Sequence, residues 1–132
     1  MTKKELTYQG LTEAELQKLS MKEFAQMVPS RQRRTINSGF TEMQKRLLVK
    51  VKKAKEGKYK KPVKTHCRNM VIIPEMIGML IHVHAGKEFV PVEITVEKLG
   101  HYLGEFRMTR QKVQHSAPGV GATRSSAAAS VK

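Results

Sequence analysis

Short apolar runs at helical spacing follow two capping-box sequences near the start of the chain. One box begins at Thr12 and the other at Ser20, each with a glutamate three residues later. We therefore expect two short helices within residues 12–28, with a break near Ser20 and an end at Pro29. Residues 30–40 lack this period and carry three arginines, which predicts a basic loop.

One longer amphipathic helix is predicted over residues 41–56. Another capping sequence begins at Thr41, and Gly57 suits the position after the last turn. The apolar stripe of this helix comprises Met43, Leu47, Leu48, Val51 and Ala54. The other faces are basic and bulky aromatic anchors are missing, so packing on a core plus phosphate contact is favoured over a membrane surface. Residues 58–64 are predicted to be a basic connector.

The apolar pattern then changes to one typical of β-strands. Val71–Ile73 is a β-branched run, Met79–His84 alternates weakly, and Phe89–Ile94 forms a return strand. A two-residue hairpin tip is predicted at Ala85–Gly86. Pro91 indicates an edge position or an interruption of its strand, because proline has no amide hydrogen to give to a neighbour.

These elements predict an α+β fold, a small three-stranded sheet with packed helices. Residues 1–30 would be an N-terminal helical extension, 31–106 an RNA-binding core, and 107–132 a basic flexible tail, disordered in the free protein. The predicted core residues are Val71, Ile73, Ile81, Val83, Val90, Val92, Ile94 and Leu103.

The charge is unevenly distributed along the chain. Its 132 residues include 25 Lys+Arg and 11 acidic residues, all glutamate, for a net charge of +14. Residues 31–68 carry +12 and residues 106–132 carry +5, whereas 69–105 carry −3. Two basic blocks therefore flank an apolar, mildly acidic centre, which predicts a polyanion partner, with nucleic acid favoured over a membrane surface.

The residue types that catalysis or metal binding would need are missing or badly spaced. Without aspartate, an aspartic dyad or an EF-hand loop is excluded. His66 and Cys67 have no second pair at zinc spacing, and His82 with His84 lacks a third ligand. Gly119-x-Gly121 has no strand before it and no lysine after it, unlike a phosphate loop. We expect no catalytic site, no metal, no cofactor and a cytoplasmic location.

Residues 64–110 carry several motifs in a single register. They are Ile73-Pro74-Glu75-Met76-Ile77-Gly78, Gly86-Lys87, Phe89-Val90-Pro91-Val92, Ile94, Leu99-Gly100, Leu103-Gly104-Glu105-Phe106 and Thr109-Arg110. On these residues the segment resembles the small-subunit ribosomal protein family numbered nineteen. The N-terminal helices, the RQRR segment and the basic stretch 56–62 look like the archaeal form, and the tail resembles that of the archaeal and eukaryotic branches.

The resemblance implies a structural component of the head of the small ribosomal subunit. Members of this family bind small-subunit ribosomal RNA and pair with the neighbouring ribosomal protein numbered thirteen. They lie near the large subunit, and their tail extends toward the tRNA-binding region. One departure is Ala85, where the family more often has Asp or Asn before the glycine, so a less stable turn or another turn type is expected.

Candidate RNA-binding residues follow from charge and from the resemblance. The lysines suited to phosphates are Lys52, Lys53, Lys55, Lys58, Lys60, Lys61 and Lys64. The arginines suited either to bidentate phosphate contacts or to stacking on bases are Arg31, Arg33, Arg34 and Arg68. The family motif carries Lys64, Arg68, His101 and Arg110 to RNA contact. The tail adds Arg107, Arg110, Lys112 and Arg124. The alternatives are a free-standing, DNA-compacting nucleic-acid binder and, least favoured, an enzyme.

Overall fold

The computed structural model describes residues 4–114, 119 and 122–127. The helices are α1 Glu13–Lys18, α2 Met21–Met27, α3 Ser30–Ser38, α4 Glu42–Lys55 and α5 Arg124–Ala127, and the strands are β1 Val63–Thr65, β2 Leu80–His84 and β3 Phe89–Glu93. Three 3-10 turns are Pro74–Met76, Val96–Lys98 and Leu103–Phe106. The predicted α+β class is confirmed. Within the described ranges, no helix is long and apolar enough to cross a bilayer.

The first two helices begin at the predicted capping boxes. The Glu15 carboxylate accepts a hydrogen bond from the Thr12 amide at 2.8 Å, and Glu23 accepts one from the Ser20 amide at the same distance. These backbone hydrogen bonds, joined by the Thr12 and Ser20 hydroxyls, lower the pKa of each carboxyl below its usual value. The break near Ser20 is confirmed, since it is the N-cap of α2.

The prediction of a loop over residues 30–40 is wrong, because Ser30–Ser38 form helix α3. Pro29, expected only to end the preceding helix, is the N-cap of α3. The Arg33 guanidinium donates from Nε to the carbonyl of Ala25 at 3.0 Å and from Nη2 to that of Val28 at 3.3 Å. It thus occupies carbonyls at the end of α2 that no local pattern could show as partners.

Helix α4 agrees with its prediction at both ends. Gly57 has a φ of +74°. Its amide donates to the carbonyl of Ala54 at 3.1 Å, and the amide of Lys58 donates to that of Lys53 at 3.0 Å. These two bonds make a Schellman motif, in which a glycine with positive φ closes the helix. Leu47 and Val51 are buried and Leu48 and Ala54 are half-buried, so this part of the apolar stripe faces the core as expected. The assignment of Met43 to the stripe is wrong, because Met43 is exposed and Gln44 is the buried residue of the first turn.

The sheet has the order β1-β2-β3, with β1 parallel to β2 and β3 antiparallel to it. The predicted connector 58–64 therefore runs into a strand, which corrects that assignment. β1 alternates buried Val63 and Thr65 with exposed Lys64, a pattern too short to recognise among lysines. The strand predicted over residues 71–73 is wrong, because this buried run makes only one isolated bridge, between Val71 and Tyr102, and does not join the sheet.

The hairpin turn lies one residue later than predicted. The amide of Ala85 donates to the carbonyl of Glu88 at 2.8 Å, which leaves Gly86 and Lys87 at the tip. Gly86 has a φ of +93°, and Ala85 does not have a positive φ. The expected weakness of a turn with alanine at 85 thus disappears, because glycine holds the left-handed position. Pro91 lies on edge strand β3, as predicted.

One hydrophobic core joins the N-terminal helices to the sheet. Among the predicted core residues only Val90 is half-buried, while the others are buried. Leu16 and Phe24 enter the same core. Gly100 has a φ of +76°, and a Cβ there would lie 3.1 Å from the Tyr8 hydroxyl and 3.2 Å from Val28 Cγ1. The N-terminal extension therefore packs directly on a glycine turn of the core.

The tail agrees with its prediction in part. Residues 107–114 form neither helix nor strand and are exposed, whereas Arg124–Ala127 form the short α5. No helix was predicted in this Ser- and Ala-containing segment, because it has no apolar periodicity that would indicate one. The predicted disorder at 115–118, 120–121 and 128–132 lies outside the described residues.

Candidate RNA-binding surface

A groove between α4 and β1 brings five lysines and arginines around one concavity. We call it the basic groove and define it by Lys45, Arg46, Lys50, Lys53, Tyr59 and Lys64. It encloses about 610 Å³. The four lysines have no carboxylate partner within the described part of the chain, and Arg46 is 3.8 Å from the exposed Glu42. The groove therefore offers a concentrated positive charge to a ligand.

The rotation of α4 sets which cations reach the groove. Arg46, Lys50 and Lys53 are spaced by three or four residues, so they share one face of the helix. Lys52 falls on another face, where its Nζ lies 3.7 Å from a carboxylate oxygen of Glu75. Since burial of Leu47 and Val51 fixes the helix on the core, the two sets of cations cannot exchange places.

Two exposed apolar side chains lie among these charges. Met43 is 56% exposed and Val49 is 51% exposed, and both line the basic groove. The half-buried ring of Tyr59 adds a flat surface beside them. Phosphate binding alone does not account for exposed apolar residues here. The groove therefore combines charge with two exposed apolar side chains, Met43 and Val49, which we call its apolar lining.

An aromatic cluster lies where β1 ends. The ring of His66 is 4.3 Å from that of His84 and 5.0 Å from that of Phe89, measured between centroids. The Lys64 ammonium lies 5.4 Å from the Phe89 centroid, within cation–π range. Lys64 and His66 are therefore held on the rim of the groove by neighbours on β2 and β3.

Arg68 lies in a different setting from the groove lysines. Its guanidinium donates to the carbonyls of His84 and Gly104 at 2.7 Å each, and also to that of Arg107. A Cβ on Gly104 would lie 3.0 Å from both the Cβ and the carbonyl oxygen of Arg68, so only glycine allows this approach. Arg68 thus ties the hairpin, the last 3-10 turn and the start of the tail together.

Two more residues that were predicted to contact RNA, Arg107 and His101, have partners inside the protein. Arg107 donates from Nη2 to the carbonyl of Pro91 at 3.2 Å, which places its side chain along edge strand β3. The Nδ1 of exposed His101 lies 2.7 Å from a carboxylate oxygen of Glu105. Arg33, like Arg107, donates to backbone carbonyls. RNA contact by Arg33, Arg68 and Arg107 would use donors that already hold carbonyls.

The other predicted residues are exposed but dispersed. They are Arg31 and Arg34 on α3, Lys55 on α4, Lys58, Lys60 and Lys61 before β1, Arg110 and Lys112 in the tail, and Arg124 on α5. Lys58 Nζ lies 2.7 Å from a carboxylate oxygen of Glu56. Of the predicted set, the groove brings together Lys53 and Lys64. It adds Lys45, Arg46 and Lys50, which the helical spacing along 41–56 could have identified.

A second groove has the opposite charge. It is lined by three glutamates, Glu5, Glu13 and Glu93, and by one lysine, Lys4, in a volume of about 670 Å³. Its glutamates would repel phosphates, so it does not suit RNA. Across the described residues, no three His, Cys or acidic side chains are grouped closely enough to hold a metal ion.

Comparison with known families agrees with this combination of a small α+β core and a basic surface. The sequence model described as ribosomal protein S19 matches residues 34–115, which is more than half of the chain. The match includes α4, all three strands and every residue of the basic groove. Proteins of this family are non-enzymatic components of the small ribosomal subunit that bind ribosomal RNA. The chain therefore belongs to the ribosomal protein S19 family.

Proposed function

We propose that the basic groove is a principal surface through which this protein binds small-subunit ribosomal RNA. The observation that carries the proposal is the convergence of Lys50 and Lys53 from α4 with Lys64 from β1, without carboxylate partners among the described residues. Lysines whose charge is not neutralised internally release counterions when they meet phosphates, which favours binding.

The exposed cations outside the groove extend this surface. Arg31 and Arg34 on α3 and Lys60 and Lys61 before β1 have free access to solvent. We assign them to phosphate contacts, since each guanidinium or ammonium is available to a polyanion. Arg33, Arg68 and Arg107 contribute positive charge near RNA while their donors hold the fold together.

The resemblance supports a finer placement in the head of the small subunit. The proposal includes a contact with the ribosomal protein numbered thirteen and proximity to the large subunit. The acidic groove with Glu5, Glu13 and Glu93 supports a protein neighbour on that side, because phosphates would be repelled there. The exposed segment 107–114, which has neither helix nor strand and carries Arg110 and Lys112, supports a tail that reaches toward the tRNA sites.

The test compares two triple variants of equal charge. Lys50→Gln/Lys53→Gln/Lys64→Gln removes three groove charges, and Lys4→Gln/Lys18→Gln/Lys22→Gln removes three exposed charges from the N-terminal segment. Binding to folded small-subunit ribosomal RNA is measured over a range of salt concentrations, followed by sedimentation of cell extracts. We expect the groove variant to lose affinity and to reduce the salt slope by about 3, since each lysine accounts for roughly one phosphate.

The control variant should retain its salt slope and sediment with small subunits. Equal loss by both variants would contradict the groove as the RNA surface. If the wild-type chain bound duplex DNA as tightly as ribosomal RNA and stayed at the top of the gradient, the free-standing nucleic-acid binder would replace this proposal.

A further inference from the structure

The apolar lining of the basic groove is not explained by phosphate binding. Met43 and Val49 are more than half exposed on the same helix that presents Arg46 and Lys50. Large apolar side chains that are exposed together in a concavity usually mark a binding surface. The ligand that covers them must therefore bring an apolar face into a ring of positive charge.

We infer that the basic groove receives an unpaired nucleobase of RNA, with the flanking phosphates on the surrounding cations. This inference rests on the proposed function, since it specifies which part of the RNA enters the site. A nucleotide in a loop or bulge can turn its base outward and place it on aromatic or apolar side chains. The half-buried Tyr59 and the apolar lining of Met43 and Val49 provide such a surface.

Charge and shape both favour this occupant. Lys45, Lys50, Lys53 and Lys64 on the rim suit the phosphates on either side of the base. A paired RNA helix presents its backbone and its shallow groove, so it would leave the apolar lining uncovered. A protein segment would need a dense set of carboxylates to face these cations. The volume of about 610 Å³ lies within the usual range of about 300–1,000 Å³ for small-ligand pockets.

The first test removes the apolar lining without changing the net charge of the protein. The full-length chain carrying Met43→Ser/Val49→Ser is compared with Leu6→Ser/Leu80→Ser, whose leucines are 54% and 52% exposed outside this groove. Binding to folded small-subunit ribosomal RNA is measured at several salt concentrations. We expect the groove variant to bind about tenfold more weakly, as for the loss of one base-stacking contact, with an unchanged salt slope. The control should bind as the wild type does.

A second measurement identifies the occupant directly. A benzophenone-bearing phenylalanine replaces Val49, and the chain is assembled into small subunits and irradiated. An adduct on an unpaired nucleotide is the expected result. An adduct on a base-paired nucleotide or on a ribosomal protein, or the lack of any RNA adduct, would overturn the inference.

The two proposals fail in different ways. If the wild-type chain binds ribosomal RNA and the serine variant of the groove binds equally well, the base site is overturned and the RNA surface stands. If the wild-type chain itself does not bind this RNA, both are overturned.

Discussion

Replacement of Arg68 by methionine should destabilise the protein in the absence of RNA. Methionine keeps much of the length of the side chain but cannot donate to the carbonyls of His84, Gly104 and Arg107. The bonds to His84 and Gly104 are partly buried, and a bond from a charged donor is worth about 1.5 kcal/mol at the low end. The bond to Arg107 is exposed and adds little. The expected loss is about 3 kcal/mol.

Urea unfolding followed by circular dichroism measures this loss. With an m-value of about 2 kcal/mol per molar, the unfolding midpoint should fall by about 1.5 M. Arg110→Met is the matched control, because Arg110 is exposed in the irregular segment 107–114 and was assigned to RNA by the same family motif. Its midpoint should remain close to that of the wild type.

The comparison separates a structural role of Arg68 from an RNA-binding role. If Arg68→Met unfolded at the same urea concentration as the wild type but bound RNA more weakly, the argument from the three carbonyls would be refuted. If Arg68→Met were less stable but bound as much RNA as the wild type at saturating RNA, the structural role would be supported. RNA that binds only the folded state shifts the folding equilibrium toward that state.

Two further predictions concern backbone geometry and acid stability. Gly100→Ala should lower the free energy of unfolding by about 3 kcal/mol. The first part, about 1–2 kcal/mol, comes from placing alanine at positive φ, and the rest from contact of its Cβ with Tyr8. Gly57→Ala, with similar φ and no atom within 4 Å of its Cβ, should cost only the first part, so equal urea midpoints would refute the packing argument. The hydrogen bonds from Ser20 lower the pKa of Glu23, so their stabilisation is present above the usual carboxyl pKa of 4.5 and is lost as pH falls through the depressed value. The stability difference between wild type and Glu23→Gln should therefore shrink below about pH 4.5, and a constant difference would contradict the capping-box assignment.

Elements with complete local information were predicted well. Helix α4 has a capping sequence at Thr41, an apolar stripe and a glycine at 57, and each of these acts between residues close in the chain. The capping boxes at Thr12 and Ser20 work in the same way. The choice predicted for Pro91, an edge position or an interruption of its strand, also follows from one residue, because proline lacks the amide that a central strand needs. The structure has the edge position.

Elements that depend on distant partners were missed. Helix α3 lacks a clear apolar stripe, and Arg33 links it to carbonyls of α2 only after both helices are in place. Strand β1 has three residues and becomes a strand because Val63 and Thr65 pair beside Ile81 and Val83. Such pairing depends on tertiary contacts, which outweigh weak local preference.

The same limit applies to the cations of the candidate surface. Residues 31–68 carry +12, and the arginines and lysines predicted as site residues there were all assigned to RNA contact. The structure separates them by what they face: Arg33 and Arg68 donate to backbone carbonyls, while Lys50 and Lys53 line a groove without carboxylate partners among the described residues. The planar guanidinium can reach several carbonyls at once, whereas ammonium groups are compact charges suited to phosphates. Loss of either arginine should therefore appear first in folding, and loss of either lysine first in RNA affinity and its salt dependence.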